Sequence, residues 1–148
     1  MVIGEGEAGK KALIESDFLF GLRLSDKRHR RVRRALVAHR NGDLQLRVLS
    51  SAVVEVRAVL YSRGLGPAES EDALSLMDAT LAGYGVREFL PVEMADVVVA
   101  ERLRLRYPGL GFFDSLHAAT SRRLALPILS SEGIYRRIGI STLDLDRL

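Results

Sequence analysis

Five acidic residues in four separate stretches are the side chains of this sequence best suited to chemistry. Glu15 and Asp17 interrupt the apolar run Leu13-Ile14-Glu15-Ser16-Asp17-Phe18, and Glu55 sits in Ala52-Val53-Val54-Glu55-Val56. Asp114 follows Phe112-Phe113, and Glu132 follows Ile128-Leu129-Ser130-Ser131. Carboxylates packed together repel one another and hold their protons to higher pH. A divalent cation removes that penalty. It can then lower the pKa of a bound water, orient a phosphodiester and stabilise charge on the leaving oxygen. The chain contains no cysteine, so an ion must rest on oxygen or imidazole ligands, and carboxylates favour Mg²⁺ or Mn²⁺.

The positive charges point to a substrate. Arginine supplies nineteen of the twenty-two, and the net charge is +3. Arginine grips phosphate in a bidentate fork and stacks on bases, as lysine does not. The densest basic run is Lys27 to Arg34, in which only Val32 is not basic. It makes Arg28, Arg30, Arg31 and Arg34 candidates for guiding RNA. A solvated helix face and a surface for an acidic partner are the competing readings of the same run. Each acid also has an ordinary reading: Asp114 as a first-turn helix acid, Glu55 on a solvated stripe, Glu132 in a loop. Glu15 is the hardest to dismiss, because an unpaired charge inside a buried strand is costly. His117, three residues after Asp114, shares its helix face. It is either a packed, hydrogen-bonded residue or one that positions water or RNA. Phe112 and Phe113 read as core, with base stacking at a rim as the alternative.

These residues need a scaffold that gathers them. Residues 1–11 are rich in Gly and Glu and read as a flexible leader. Ala12 to Phe20 reads as a buried strand, which would put Glu15 and Asp17 on one face. Ser25 to Arg40 reads as a helix capped by Ser25 or Asp26, with Val32, Ala35 and Leu36 as its apolar stripe. Asn41-Gly42-Asp43 signals a turn. Leu44, Leu46 and Val48 alternate as a second strand. Helices are expected over 51–63, 67–81, 92–107 and from Phe112 or Phe113 to about 124. Further strands are expected at 86–90, 126–129 and 138–143, with a short helix near Tyr135. Alternating short strands and helices imply a three-layer α/β/α domain around a mostly parallel sheet of about five strands. Ligands gather beyond the carboxyl ends of such strands, where all five acids are expected.

Several classes are excluded or weakened. No uncharged apolar run reaches 18 residues, which argues against a transmembrane helix, and no signal-peptide stretch opens the chain, so a cytoplasmic location is expected. Gly4 to Gly9 fits G-x-G-x-x-G and imitates a phosphate loop. It lacks a preceding strand and a following helix, has Lys11 where Ser or Thr should hold Mg²⁺, and carries two acids that would repel phosphate. A haloacid-dehalogenase-type phosphatase would need a nucleophilic Asp where Glu15 stands and a downstream lysine, and no lysine follows Lys27.

The blocks resemble those of the PIN-domain nucleases, the family that includes the VapC-type toxins of toxin–antitoxin pairs. Leu13 to Phe20 is similar to the family's opening D-T-[N/S/D]-hydrophobic strand, with Glu15 in place of its first acid and Asp17 two positions later. Leu49 to Val56 resembles the second block, with Glu55 on its acid. Gly111 to Thr120 resembles the third and most specific, with Asp114 on its acid. Pro127 to Tyr135 resembles the closing L-T-x-D-x-x-F segment, with Glu132 for Asp. The resemblance spans about residues 12–143 and implies one PIN-like domain over 12–148. It further implies Mg²⁺- or Mn²⁺-dependent cleavage of single-stranded RNA, with the five acids as ligands, a homodimer and an inhibitory antitoxin partner. Either Glu15 or Asp17 serves as the first ligand on this reading. The two Glu-for-Asp departures leave a second function open: a catalytically weak or inactive PIN-like module that binds RNA or protein.

Overall fold

A computed structural model describes residues 9–148. Most of the expected leader, and with it residues 4–8 of the glycine-rich motif, lies outside the described residues.

Strand β1 (Lys10–Ile14) starts two residues before the expected domain boundary, and its Ala12, Leu13 and Ile14 are fully buried. It does not run on to Phe20. The Glu15 carboxylate accepts from the Asp17 backbone N–H at 3.2 Å and caps helix α1 (Ser16–Phe20). Short apolar runs such as those on either side of Glu15-Ser16-Asp17 suit a buried strand and a buried helix equally. An acid that satisfies a free first-turn N–H decides for the helix. Glu15 and Asp17 are therefore a cap and a first-turn residue, not two positions on one strand face.

Helix α2 (His29–Arg40) buries Val32, Ala35 and Leu36 as expected but starts later than Ser25 or Asp26. Asp26 forms no cap there. Its Oδ1 accepts from the Arg28 backbone N–H at 2.8 Å and from the Arg28 guanidinium at 2.9 Å, closing a turn ahead of the helix. Gly42, at φ +85°, makes the expected turn into β2 (Leu44–Leu49). Helices α3 (Ser50–Ser62) and α4 (Pro67–Gly83) follow, then β3 (Phe89–Leu90), α5 (Met94–Arg106) and α6 (Phe112–Leu124). The chain closes with β4 (Ile128–Ser130), α7 (Ile134–Arg137), β5 (Thr142–Asp144) and a 3₁₀ turn (Leu145–Arg147). Two strands are shorter than their apolar runs. Val86 is buried ahead of β3, and Ile138 and Ile140 are buried ahead of β5. Burial without a ladder partner gives the same sequence signal as a strand.

The sheet order is β3-β2-β1-β4-β5 and every pairing is parallel. Helix α2 packs on β2 and against the closing turn, whereas α1, α3 and α6 pack on one another and α5 lies along α6. This is a three-layer α/β/α domain. The chain leaves β1 towards β2 and β3, then returns on the other side of β1 as β4. Strand order reverses between β1 and β4, and at such a reversal the loops diverge to leave a crevice at the carboxyl ends.

Candidate active site

Glu15 and Glu132 flank that crevice directly, the first following β1 and the second following β4 by two residues. The Glu132 backbone N–H donates to Ser130 Oγ at 3.0 Å, which sets the turn out of β4. Asp17 enters from the first turn of α1 and Asp114 from the first turn of α6. Glu55 comes from the second turn of α3, half-buried.

Mutual electrostatics show that the five acids share one site. Burial pushes the Glu15 carboxyl well above its usual range, and the charges of Asp17, Glu132 and Glu55 add to this against the Asp17 N–H bond. Asp114 is raised by burial and then by Glu55 and Asp17, while His117 and the Tyr135 hydroxyl oppose the shift. Glu132 is raised to about 7, first by a hydrogen bond with Asp17, then by burial and by the charges of Asp17 and Asp114. Like charges gathered in one site hold a proton to higher pH. Tyr135, 1% exposed, is raised in turn by burial and by Glu15, Asp114, Glu55 and Asp17. Its hydroxyl stays protonated and donates to Asp114 Oδ1 at 3.4 Å.

Every sequence-predicted acid therefore reaches the same crevice. Among the described residues, no three acidic or histidine side chains are already arranged to hold a metal ion. The donor chemistry nonetheless fits a hard cation. The site offers carboxylate oxygens from five acids. Mg²⁺ commonly keeps several waters and needs only one or two protein carboxylates.

The predicted RNA-guiding arginines divide. Arg28 is turned inward, bonded to Asp17 at 2.8 Å and to Asp26 at 2.9 Å, so it balances the acid cluster rather than facing solvent freely. Arg31 pairs with Asp146, and Arg34 donates to the Leu148 carbonyl at 3.4 Å. Arg30 is exposed on α2. Phe112 is part-exposed at the start of α6, and its ring meets that of Phe113 edge-on at 5.5 Å.

Three residues outside the predicted set matter here. Ser51 and His117, both buried, bond to each other at 2.8 Å, and His117 Nε2 lies 2.8 Å from Glu55 Oε1. Tyr135 is the third. Spacing was the available signal: Ser51 precedes Glu55 by four residues, His117 follows Asp114 by three, and Tyr135 follows Glu132 by three. Asp96, whose direction the sequence leaves open, is buried and turned away from the site. It completes a capping box with Glu93 and accepts from Arg123 at 2.8 and 3.1 Å, tying α5 to α6.

The fold is that of a parallel α/β domain with acids collected where strand order reverses. The PIN domain model matches residues 12–140, and the chain belongs to the PIN-domain family. No curated protein matches the sequence. Among solved structures the chain is similar to Mycobacterium tuberculosis VapC20, a Sarcin-Ricin loop cleaving toxin. The two share 15% identity, with a TM-score of 0.66 over 89% of this chain and 98% of that one. It is similar to VapBC2 from Rickettsia felis bound to a DNA fragment from their promoter, at 15% identity and TM-score 0.66, covering 90% and 97%. It is also similar to FitAcB from Neisseria gonorrhoeae, at 13% identity and TM-score 0.67, covering 93% and 99%. Identities this low establish the shared fold. No helix among the described residues is long and apolar enough to cross a membrane.

Proposed function

We propose that this protein is a metal-dependent endoribonuclease that cleaves single-stranded RNA, and that it acts as the toxin of a toxin–antitoxin pair. The observation that carries the reading is the convergence of Glu15, Asp17, Glu55, Asp114 and Glu132 on one crevice, with several of their carboxyls held above their usual range by burial and by each other's charge. Such a cluster costs the apo fold stability, and a cation offsets that cost. Mg²⁺ or Mn²⁺ bound there supplies a nucleophilic water at neutral pH and neutralises charge on the phosphodiester.

The chain's own residues do the rest. Glu15, Asp17, Glu55, Asp114 and Glu132 form the ligand set, with Glu15 fixed by its capping bond and Asp114 steadied by the Tyr135 hydroxyl. Arg28 holds Asp17 in place. Exposed Arg30 is the remaining member of the predicted set suited to attract the RNA backbone. The similar folds of VapBC2 and FitAcB support an antitoxin partner, and a homodimer acting in the cytoplasm is part of the same proposal.

The test is cleavage of a panel of single-stranded RNAs with Mn²⁺ or Mg²⁺. Wild type should cut, and EDTA or Asp114→Asn should each abolish cutting. Wild type that binds RNA without cutting it replaces this proposal with the binding-module reading.

A further inference from the structure

His117 is an unusual residue to find without any exposed surface. Its 0% exposure excludes contact with RNA or bulk water, yet both ring nitrogens are in use. Nε2 lies 2.8 Å from Glu55 Oε1, and Nδ1 lies 2.8 Å from Ser51 Oγ. A carboxylate oxygen only accepts, so Nε2–H donates to Glu55. In the neutral ring Nδ1 then accepts from the Ser51 hydroxyl, itself 2% exposed. Ser51 and Glu55 are four residues apart on α3 and so lie one turn apart on the same face. The imidazole of α6 thus grips one turn of α3 at two points. On α6 itself, Asp114 lies one turn before His117.

We infer that the Ser51–His117 pair positions Glu55, fixing the aim of its carboxylate into the crevice it shares with Asp114, so that a cation bound there meets a preset ligand. His117 acts here as a positioning residue and touches neither substrate nor ion. The inference rests on the metal-dependent reading above. Glu55 comes from the second turn of α3, with no backbone cap to hold it, whereas Glu15 is pinned by its own helix N-terminus. The aim of Glu55 is therefore set by a partner side chain rather than by its own backbone. Groups that orient metal ligands typically contribute about 10–100-fold to metal affinity or activity.

The test measures Mn²⁺ affinity by titration calorimetry, together with kcat and KM on a cleaved RNA, for wild type, His117→Leu, His117→Gln and Ser51→Ala. His117→Leu keeps the volume and removes both bonds. It should weaken Mn²⁺ binding about tenfold or more and lower kcat while leaving the RNA KM unchanged. His117→Gln restores a donor to Glu55 and should recover part of the loss, and Ser51→Ala should show a smaller loss of the same kind. If His117→Leu does not fold, the ordering of wild type, Ser51→Ala and His117→Gln carries the test. Equal Mn²⁺ affinity across the folded variants overturns the inference, as does a rise in KM with kcat intact. Wild type that neither binds Mn²⁺ nor cuts RNA overturns the nuclease reading and this inference with it. Wild type that does both, beside an equally competent His117→Leu, overturns the inference alone.

Discussion

Stripped of divalent ions, this protein should lose stability as pH rises from 5 to 8, and Glu132→Gln should remove part of that loss. In the folded chain the Glu132 carboxyl is raised from an ordinary 4.5 to about 7 by its bond to Asp17, by burial and by neighbouring negative charge. Between those two values the folded state keeps a proton that the unfolded chain has released. Stability from this group is therefore complete below 4.5 and is lost as pH climbs through about 7. Glu15 and Asp114 are shifted in the same direction and steepen the decline. At ~1.36 kcal/mol per pH unit, the Glu132 shift alone is worth roughly 3 kcal/mol before screening. The carboxyl is largely exposed, and solvent screening at such a site leaves on the order of 1 kcal/mol. For a domain of this size that is about 3 °C in Tm. Melts in EDTA should therefore show Glu132→Gln about 3 °C above wild type at pH 8, with the two equal at pH 5. Mn²⁺ at 100 times its Kd should add about 2.7 kcal/mol to wild type and less to the variant. A wild-type Tm that is flat between pH 5 and 8, or a variant that melts lower at pH 8, refutes a Glu132 carboxyl raised by its neighbours.

Two further outcomes follow from the same geometry. Arg123→Met removes the guanidinium bonded to Asp96, which is 1% exposed; leaving a buried carboxylate without its cation should cost about 3 kcal/mol, read as a lower urea midpoint with an unchanged slope. Arg30→Glu should weaken RNA binding for all sequences and flatten the salt dependence, with a change in log–log slope of about 1 or more. Arg31→Ala, whose guanidinium is already paired with Asp146, should change that slope less, as measured by fluorescence anisotropy from low to moderate salt.

Patterning over one or two turns carried much of the fold. The stripe Val32, Ala35 and Leu36, the turn at Gly42 and the alternation Leu44, Leu46 and Val48 are local arrangements, and the structure keeps all three. The failures share a cause. The run from Ala12 to Phe20 is apolar on both sides of Glu15-Ser16-Asp17 and too short on either side for its periodicity to decide, so only the Glu15 cap shows where strand becomes helix. Asp26 has the right residue type for a cap but spends its oxygens on Arg28. Val86, Ile138 and Ile140 are as buried as strand residues yet have no neighbouring strand to pair with.

The acids themselves were legible in the sequence, because a carboxylate beside apolar residues at a strand end is a local anomaly. Their order along the chain, with the alternation of strands and helices, fixed which edge of the sheet would receive them. The partners were not legible. Arg28 was a candidate for RNA until the turn before α2 aimed it at Asp17, eleven residues away. Glu55 and His117 are 62 residues apart, and Ser51 and His117 are 66 apart. Their meeting depends on how α3 and α6 pack, which no local pattern encodes. The upward shift of Glu132 beside Asp17 likewise arises only because β1 and β4 lie side by side. Residue type and spacing determined which groups could do chemistry here. The packing of distant helices and strands decided which of them are charged, which are held in place, and which are already occupied.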